Sequence, residues 1–99
     1  MHLRFHEDAL REYKRTEKSA QTAFKKKLSK LLSGEEKLSP AHALHGFPAG
    51  YYKIKLKKAG LRQVYNYDGE HLTILVIAVG RRQRNIVYEV AQARIAGKR

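Results

Sequence analysis

The residue types and spacing that could do chemistry are concentrated between Tyr52 and Tyr65, a stretch that reads YKIKLKKAGLRQVY. Its first half alternates, so Tyr52, Ile54 and Leu56 fall on one face of a strand and Lys53, Lys55 and Lys57 on the other. Lys58-Ala59-Gly60 supplies a turn, and a second strand starting at Leu61 brings Arg62 beside the same row of cations. Cations repeated along one face repel one another. A face that is only solvated usually intersperses acids, and none occurs between Tyr51 and Val64. Lysines can keep an edge strand from pairing with other chains. A platform for phosphates accounts for the lysine row and also for the arginine that joins it. Crowding by like charge favours the neutral form of an amine, so Lys55, set among Lys53, Lys57 and Arg62, is a candidate base as well.

The whole chain shares this bias. Its 99 residues carry 21 Lys and Arg against 9 Asp and Glu, a net charge of +12, and the isoelectric point is near 10.2. Such a chain attracts polyanions: nucleic acid, an anionic membrane surface or an acidic protein. It has no cysteine, which excludes disulfides and thiolate metal sites. No apolar run is long enough to cross a bilayer, Leu72 to Gly80 included, and no signal peptide is evident. The expectation is one cytoplasmic domain over 1–99.

The elements that must position the basic stretch can be taken in order. His2 to His6 alternates as a short strand, and Asp8 is a candidate helix cap. Leu10 and Tyr13, with Ala9, form an apolar stripe, leaving Arg11, Glu12, Lys14 and Arg15 to water. The pattern breaks near Thr16 to Ser19. A second helix follows, with Ala20, Ala23, Phe24, Leu28, Leu31 and Leu32 inward and Lys25, Lys26, Lys27 and Lys30 outward, ended by Gly34. Pro40, Gly46, Pro48 and Gly50 make the next segment irregular. His42 and His45 there lack a third ligand, so neither a metal nor a cofactor is expected. Asp68-Gly69 predicts a two-residue hairpin turn. Leu72 to Val79, LTILVIAV, reads as a strand buried on both faces and therefore central. Arginines follow Gly80, Asn85 can cap a last helix, and Ile86, Val90, Ala93 and Ile95 are its expected inward residues. The fold class is α+β: a small, twisted, mainly antiparallel sheet packed on an N-terminal helical hairpin, with a C-terminal helix.

LHGFPAGYYKIKLKKAGLRQVYNY and VGRRQRNIVYEVAQARI, in this order of elements, closely resemble the RelE toxins of bacterial toxin–antitoxin modules, within the RelE/ParE superfamily. The resemblance spans essentially the whole chain. It implies a ribosome-dependent endoribonuclease that cuts mRNA in the decoding site and is held inactive by an acidic antitoxin. It also implies contact with rRNA, no membrane partner, and a toxin–antitoxin hetero-oligomer on operator DNA. By motif, Lys53 and Lys55 match the lysines of the first basic strand, Arg62 the arginine of the next, Arg82 the second arginine after the glycine, and Tyr88 the tyrosine of the last helix. Lys57, Lys58, Arg81 and Arg84 are the expected substrate-binding cations.

Metal-free RNA cleavage by the neighbouring 2′-OH leaves a cyclic phosphate and a free 5′-OH. It needs a base, cations around the phosphate oxygens and a proton for the leaving oxygen. Lys55 suits the first task; Lys53 and Arg62 suit the second. Guanidinium is a poor acid, so charge stabilisation is the better role for Arg82. Tyr88 can stack on a base or orient the 2′-OH. The chain departs from the family at Gln63, where an apolar residue is usual, at an additional residue near Gly50, and at His45, where a basic residue is usual. A ParE-like toxin that poisons gyrase shares the fold but typically lacks this combination of lysines, arginine and tyrosine. A non-catalytic RNA-binding domain accounts for the charge but not for the residues beyond Gly80.

Overall fold

Strand β1 (His2–Phe5) leads into helix α1 (Glu7–Arg15), helix α2 (Lys18–Ser33), strands β2 (Tyr51–Leu56), β3 (Leu61–Asp68) and β4 (Thr73–Arg81), and helix α3 (Ile86–Ile95). This computed structural model describes residues 2–34, 43–71, 73–81, 83 and 86–97, so His42, Arg82, Arg84 and Asn85 lie outside the described residues. The strand order is β1-β4-β3-β2, with β1 parallel to β4 and the other pairs antiparallel. The expected α+β architecture is present. β4 is central, as its continuous apolar run requires.

Both faces of the sheet are covered, but unequally. The α1–α2 hairpin packs Ala9, Phe24 and Leu28 against Ile54, Tyr65, Ile74, Val76 and Val79. On the opposite face the shorter α3 packs Val87 and Ala91 against Val64, Ile77 and Ala78. A register shift between Val64 and Tyr65 makes this possible: Val64 pairs with Ala78 and Tyr65 with Val76, so β4 carries one extra residue, Ile77. Such a bulge changes the phase of alternation. Ile77 and Ala78 both join the α3 cluster, and Gly80, rather than Arg81, then falls on the face of Arg62.

Several local expectations need correction. His6, not Asp8, caps α1: its Nδ1 accepts from the Asp8 N–H at 3.1 Å, while its own N–H donates to the Val76 carbonyl at 2.8 Å and fixes it at the strand end. The Asp68-Gly69 pair does not make a two-residue turn. Asp68 Oδ1 instead accepts from the Glu70 and His71 N–H groups, folding a longer connection. Hydrogen bonding from His71 holds the Asp68 carboxyl below its ordinary pKa. β4 continues through Gly80 to Arg81. In α3, Val90 and Ile95 pack partly buried against the sheet as expected, whereas Ile86 is 52% exposed and Ala93 is exposed, and the buried residues are Val87 and Ala91. Apolar residues surround that helix, so its sequence does not set the inward phase.

Gln63 is fully buried on the hairpin side, opposite Ile54 and Val79, and neither atom of its amide has a hydrogen-bond partner among the described residues. A buried, unsatisfied polar group costs about 1–3 kcal/mol. Gln63→Leu keeps comparable bulk and removes that cost, so it should raise the free energy of unfolding in urea by about 1–3 kcal/mol. A loss of stability would show that the amide is satisfied in solution, for example by a buried water.

Candidate active site

Strand register decides which cations meet. In β2 and β3, Lys55 is directly opposite Arg62, and Lys53 is opposite Val64. Directly opposed residues share a face, so Lys53, Lys55 and Arg62 lie together on the face that carries α3. The register is pinned just before β2. The Gly50 carbonyl accepts from the Tyr67 N–H at 2.9 Å and from Asn66 Nδ2 at 3.2 Å. Gly50 has φ +92°, and a Cβ there would lie 3.2 Å from Asn66 Nδ2 and 3.3 Å from the Tyr67 carbonyl oxygen. Only glycine fits this backbone without strain. In this register Lys55 meets Arg62.

Arg62 has Lys55 on one side and Gly80 on the other. No β4 side chain competes for the space over its guanidinium, and Tyr88 of α3 takes that space. Arg62 Nη1 donates to the Tyr88 hydroxyl at 2.9 Å, with the guanidinium carbon 5.4 Å from the ring centroid. The distance suits a cation–π contact. Because the phenol oxygen accepts here, its own proton is available to donate to a ligand oxygen. Lys55, Lys57 and Arg62 line a cavity of about 120 Å³. Lys53, Lys57 and Arg62 form no ion pair with an acid among the described residues.

The remaining expected site residues are placed differently. Arg81 pairs with Leu61, on the hairpin face, and lines a cavity of about 490 Å³ with Lys58 and Arg15. Lys58 and Arg81 therefore stand apart from the Lys55–Arg62–Tyr88 group. Strict alternation along β4 would have put Arg81 beside Arg62, and the bulge at Ile77 reverses that. His45 is exposed. Among the described residues, no three His, Asp or Glu side chains are grouped to hold a metal ion. Glu12, which the helical pattern of the sequence turns to water, is instead drawn into the fold. It accepts from the Val79 N–H at 3.1 Å and forms two 2.8 Å bonds with Arg94. The separation of the pair along the chain left no local signal to find it by.

A mixed sheet with a helical hairpin on one face and a cationic strand pair beneath a short helix on the other defines a small toxin-like α+β domain. The sequence model of the family described as ParE toxin of the type II toxin–antitoxin system matches residues 2–86. The chain is 40% identical over 93 residues to the mRNA interferase toxin RelE of Escherichia coli strain K12, covering 94% of this chain and 95% of that one. A solved structure of an arginine double mutant of E. coli toxin RelE in the free state superposes with a TM-score of 0.80 at 36% identity, covering 94% of this chain and 95% of that one. The toxin of the intact E. coli RelBE toxin–antitoxin complex gives 0.72 at 36% identity, covering 83% and 96%. The chain belongs to this family of type II toxins and is of the RelE type.

The Arg62–Tyr88 contact is testable without any activity. A half-buried charge-assisted bond reinforced by ring contact should give a coupling of about 1–2 kcal/mol. The measurement is a double-mutant cycle of Arg62→Ala and Tyr88→Ala by urea unfolding. A coupling below about 0.3 kcal/mol would show that the two side chains do not meet in solution.

Proposed function

We propose that this protein is an endoribonuclease that cleaves mRNA in the decoding site of the ribosome, without a metal, by attack of the message's own 2′-OH on the scissile phosphate. The observation that carries the reading is the placement of Lys55 opposite Arg62 with Tyr88 bonded to that arginine. The name of its E. coli relative, an mRNA interferase toxin, agrees with it.

Each step has a residue suited to it. Lys55 takes the proton of the 2′-OH as that oxygen attacks phosphorus. Lys53 and Arg62 neutralise the charge that develops on the non-bridging oxygens, a task that preorganised cations perform well in a partly desolvated site. Arg82, carried by the resemblance alone, adds charge stabilisation. Tyr88 stacks on a base or turns its phenolic proton toward a ribose or phosphate oxygen. The bond from phosphorus to the leaving 5′-oxygen then breaks, that oxygen takes a proton from solvent water, and the Lys55 ammonium returns its proton to solvent. Divalent ions are repelled by such a cluster, which itself supplies the charge a metal would bring. No strong acid or base stands among these residues, so alignment of the message must supply much of the rate. That is the reason to place the reaction on the ribosome.

Lys25, Lys26, Lys27, Lys57 and Lys58 are exposed and suit phosphate contacts to rRNA that are indifferent to codon. Arg15, Lys58 and Arg81 suit further backbone contacts from the hairpin side. Between bouts of activity, an acidic antitoxin is the natural cover for the Lys53–Lys55–Arg62 face. The similar E. coli toxin has been solved in a toxin–antitoxin complex. Charge complementarity would steer that association and weaken it with salt.

Primer extension on mRNA from programmed ribosomes treated with the protein should show cuts at fixed positions within codons, and none on the same mRNA alone. Lys55→Ala and Arg62→Ala should each lower the single-turnover rate by about 10²–10³. Their effects should combine less than additively, since both act on one transition state. Intact mRNA together with trapped gyrase–DNA complexes would assign the protein to the gyrase-poisoning branch instead.

A further inference from the structure

Among the described residues, β4 has no strand on its outer side past Val76. β1 ends at Phe5, opposite Val76, and the chain leaves the sheet after the His6 N–H to Val76 carbonyl bond of 2.8 Å. The groups beyond would form an open sheet edge. Two side chains take the missing strand's place. Glu12 Oε1 accepts from the Val79 N–H at 3.1 Å, and Arg94 Nη1 donates to the Ile77 carbonyl at 2.9 Å. They also grip each other, Nη1 to Oε1 and Nη2 to Oε2, both at 2.8 Å. The Arg94 side chain is only 10% exposed and that of Glu12 29%. Bidentate, charge-assisted bonds of this kind fix geometry as well as adding energy.

The pair joins three elements: Glu12 comes from α1, Ile77 and Val79 from β4, and Arg94 from the last turn of α3. Helix α3 is otherwise held by apolar contact alone apart from the Tyr88 hydroxyl: Val87 and Ala91 are buried, Tyr88, Val90 and Ile95 pack partly buried against the same cluster, and Ile86 is half exposed. Tyr88 stands near the start of the same helix, roughly 9 Å along the axis from Arg94 at about 1.5 Å per residue. The Tyr88 hydroxyl has one polar partner among the described residues, Arg62.

We propose that Glu12 and Arg94 are a positioning pair. By tying the far end of α3 to the outer edge of β4 and to α1, they hold Tyr88 over Arg62. Neither residue touches the proposed substrate; they act through the placement of the helix. The catalytic consequence rests on the ribonuclease reading above, whereas the placement does not.

The test uses the full chain with Arg94→Gln, with Arg94→Lys, and with the neutral pair Glu12→Gln/Arg94→Gln, which leaves no unpaired buried charge should the single variant fail to fold. Hydrogen exchange resolved by residue and the ring resonances of Tyr88 in tyrosine-labelled protein report placement. Single-turnover cleavage on programmed ribosomes reports its consequence. We expect amides of α3 to exchange at least tenfold faster while those of α2 and β3 keep their rates. The Tyr88 resonances should shift toward those of an Arg62→Ala control. Cleavage should fall by about 10- to 100-fold, the scale of a small misplacement, with ribosome affinity unchanged and with Arg94→Lys intermediate. In a Tyr88→Ala background, Arg94→Gln should cost less than about threefold further, because the residue it positions is gone. Unchanged α3 exchange and Tyr88 resonances would overturn the proposal, as would faster exchange throughout the sheet, which marks a general stabiliser. Full additivity with Tyr88→Ala would overturn it too, placing the effect elsewhere. If wild-type protein cuts no message while α3 exchange and Tyr88 resonances move as stated, the ribonuclease reading fails and the positioning role stands.

Discussion

The structure depends on β4 being buried on both faces. Ile74, Val76 and Val79 close the hairpin-side core, while Ile77 and Ala78 close the core under α3. Each layer of the molecule is fastened to this strand. β1 pairs with its first half, β3 runs along its other side, and Glu12 and Arg94 cover its outer edge where β1 stops. A single inserted residue, Ile77, lets one strand serve two cores of different depth. It also sets which residues of the strand's end face Arg62.

Lys53, Lys55 and Arg62 carry like charge on adjoining strands, with Lys57 in the turn just after β2, in a chain with a net charge of +12. Self-repulsion of this kind destabilises the folded state. The amide of Gln63, adjacent to Arg62, facing the opposite way and without a hydrogen-bond partner among the described residues, adds a further cost. What offsets these costs is a core on the hairpin side built from Phe24, Leu28 and the apolar faces of β2 to β4. The acids that do pair are mostly spent elsewhere: Glu7 and Asp8 on Arg11, and Glu12 on Arg94. Among the described residues Lys53, Lys57 and Arg62 form no ion pair with an acid, which suits the phosphate site proposed above.

Much of this was legible in the sequence, because it rests on local pattern. The alternation of Tyr52 to Lys57 and the turn at Gly60 are enough to bring Arg62 beside Lys55. The apolar run of β4 marks it as central, and Gly34 ends α2 in the left-handed conformation expected of it, with φ 81°. What was not legible depends on tertiary geometry. The bulge at Ile77 leaves no mark in a run of apolar residues, yet it turns Arg81 away from Arg62. The cap of α1 falls to His6 because a strand bond fixes that residue. The inward phase of α3 is set by contact with Gly80 and the sheet, and a ring of apolar residues around the helix conceals it. Glu12 and Arg94 look like ordinary surface charges until the fold brings them together.

The central claim is that the message supplies its own nucleophile. Ribosomes can be programmed with an mRNA carrying a single 2′-deoxy nucleotide immediately 5′ of the mapped scissile phosphate, beside an all-ribose control. Single-turnover cleavage and binding of the protein are then measured on both. The account predicts that the deoxy message is bound nearly as well as the control and is not cut at that phosphate. The control should yield a fragment ending in a 2′,3′-cyclic phosphate. Cleavage of the deoxy message at the same phosphate would contradict it, since an external nucleophile would then have to attack.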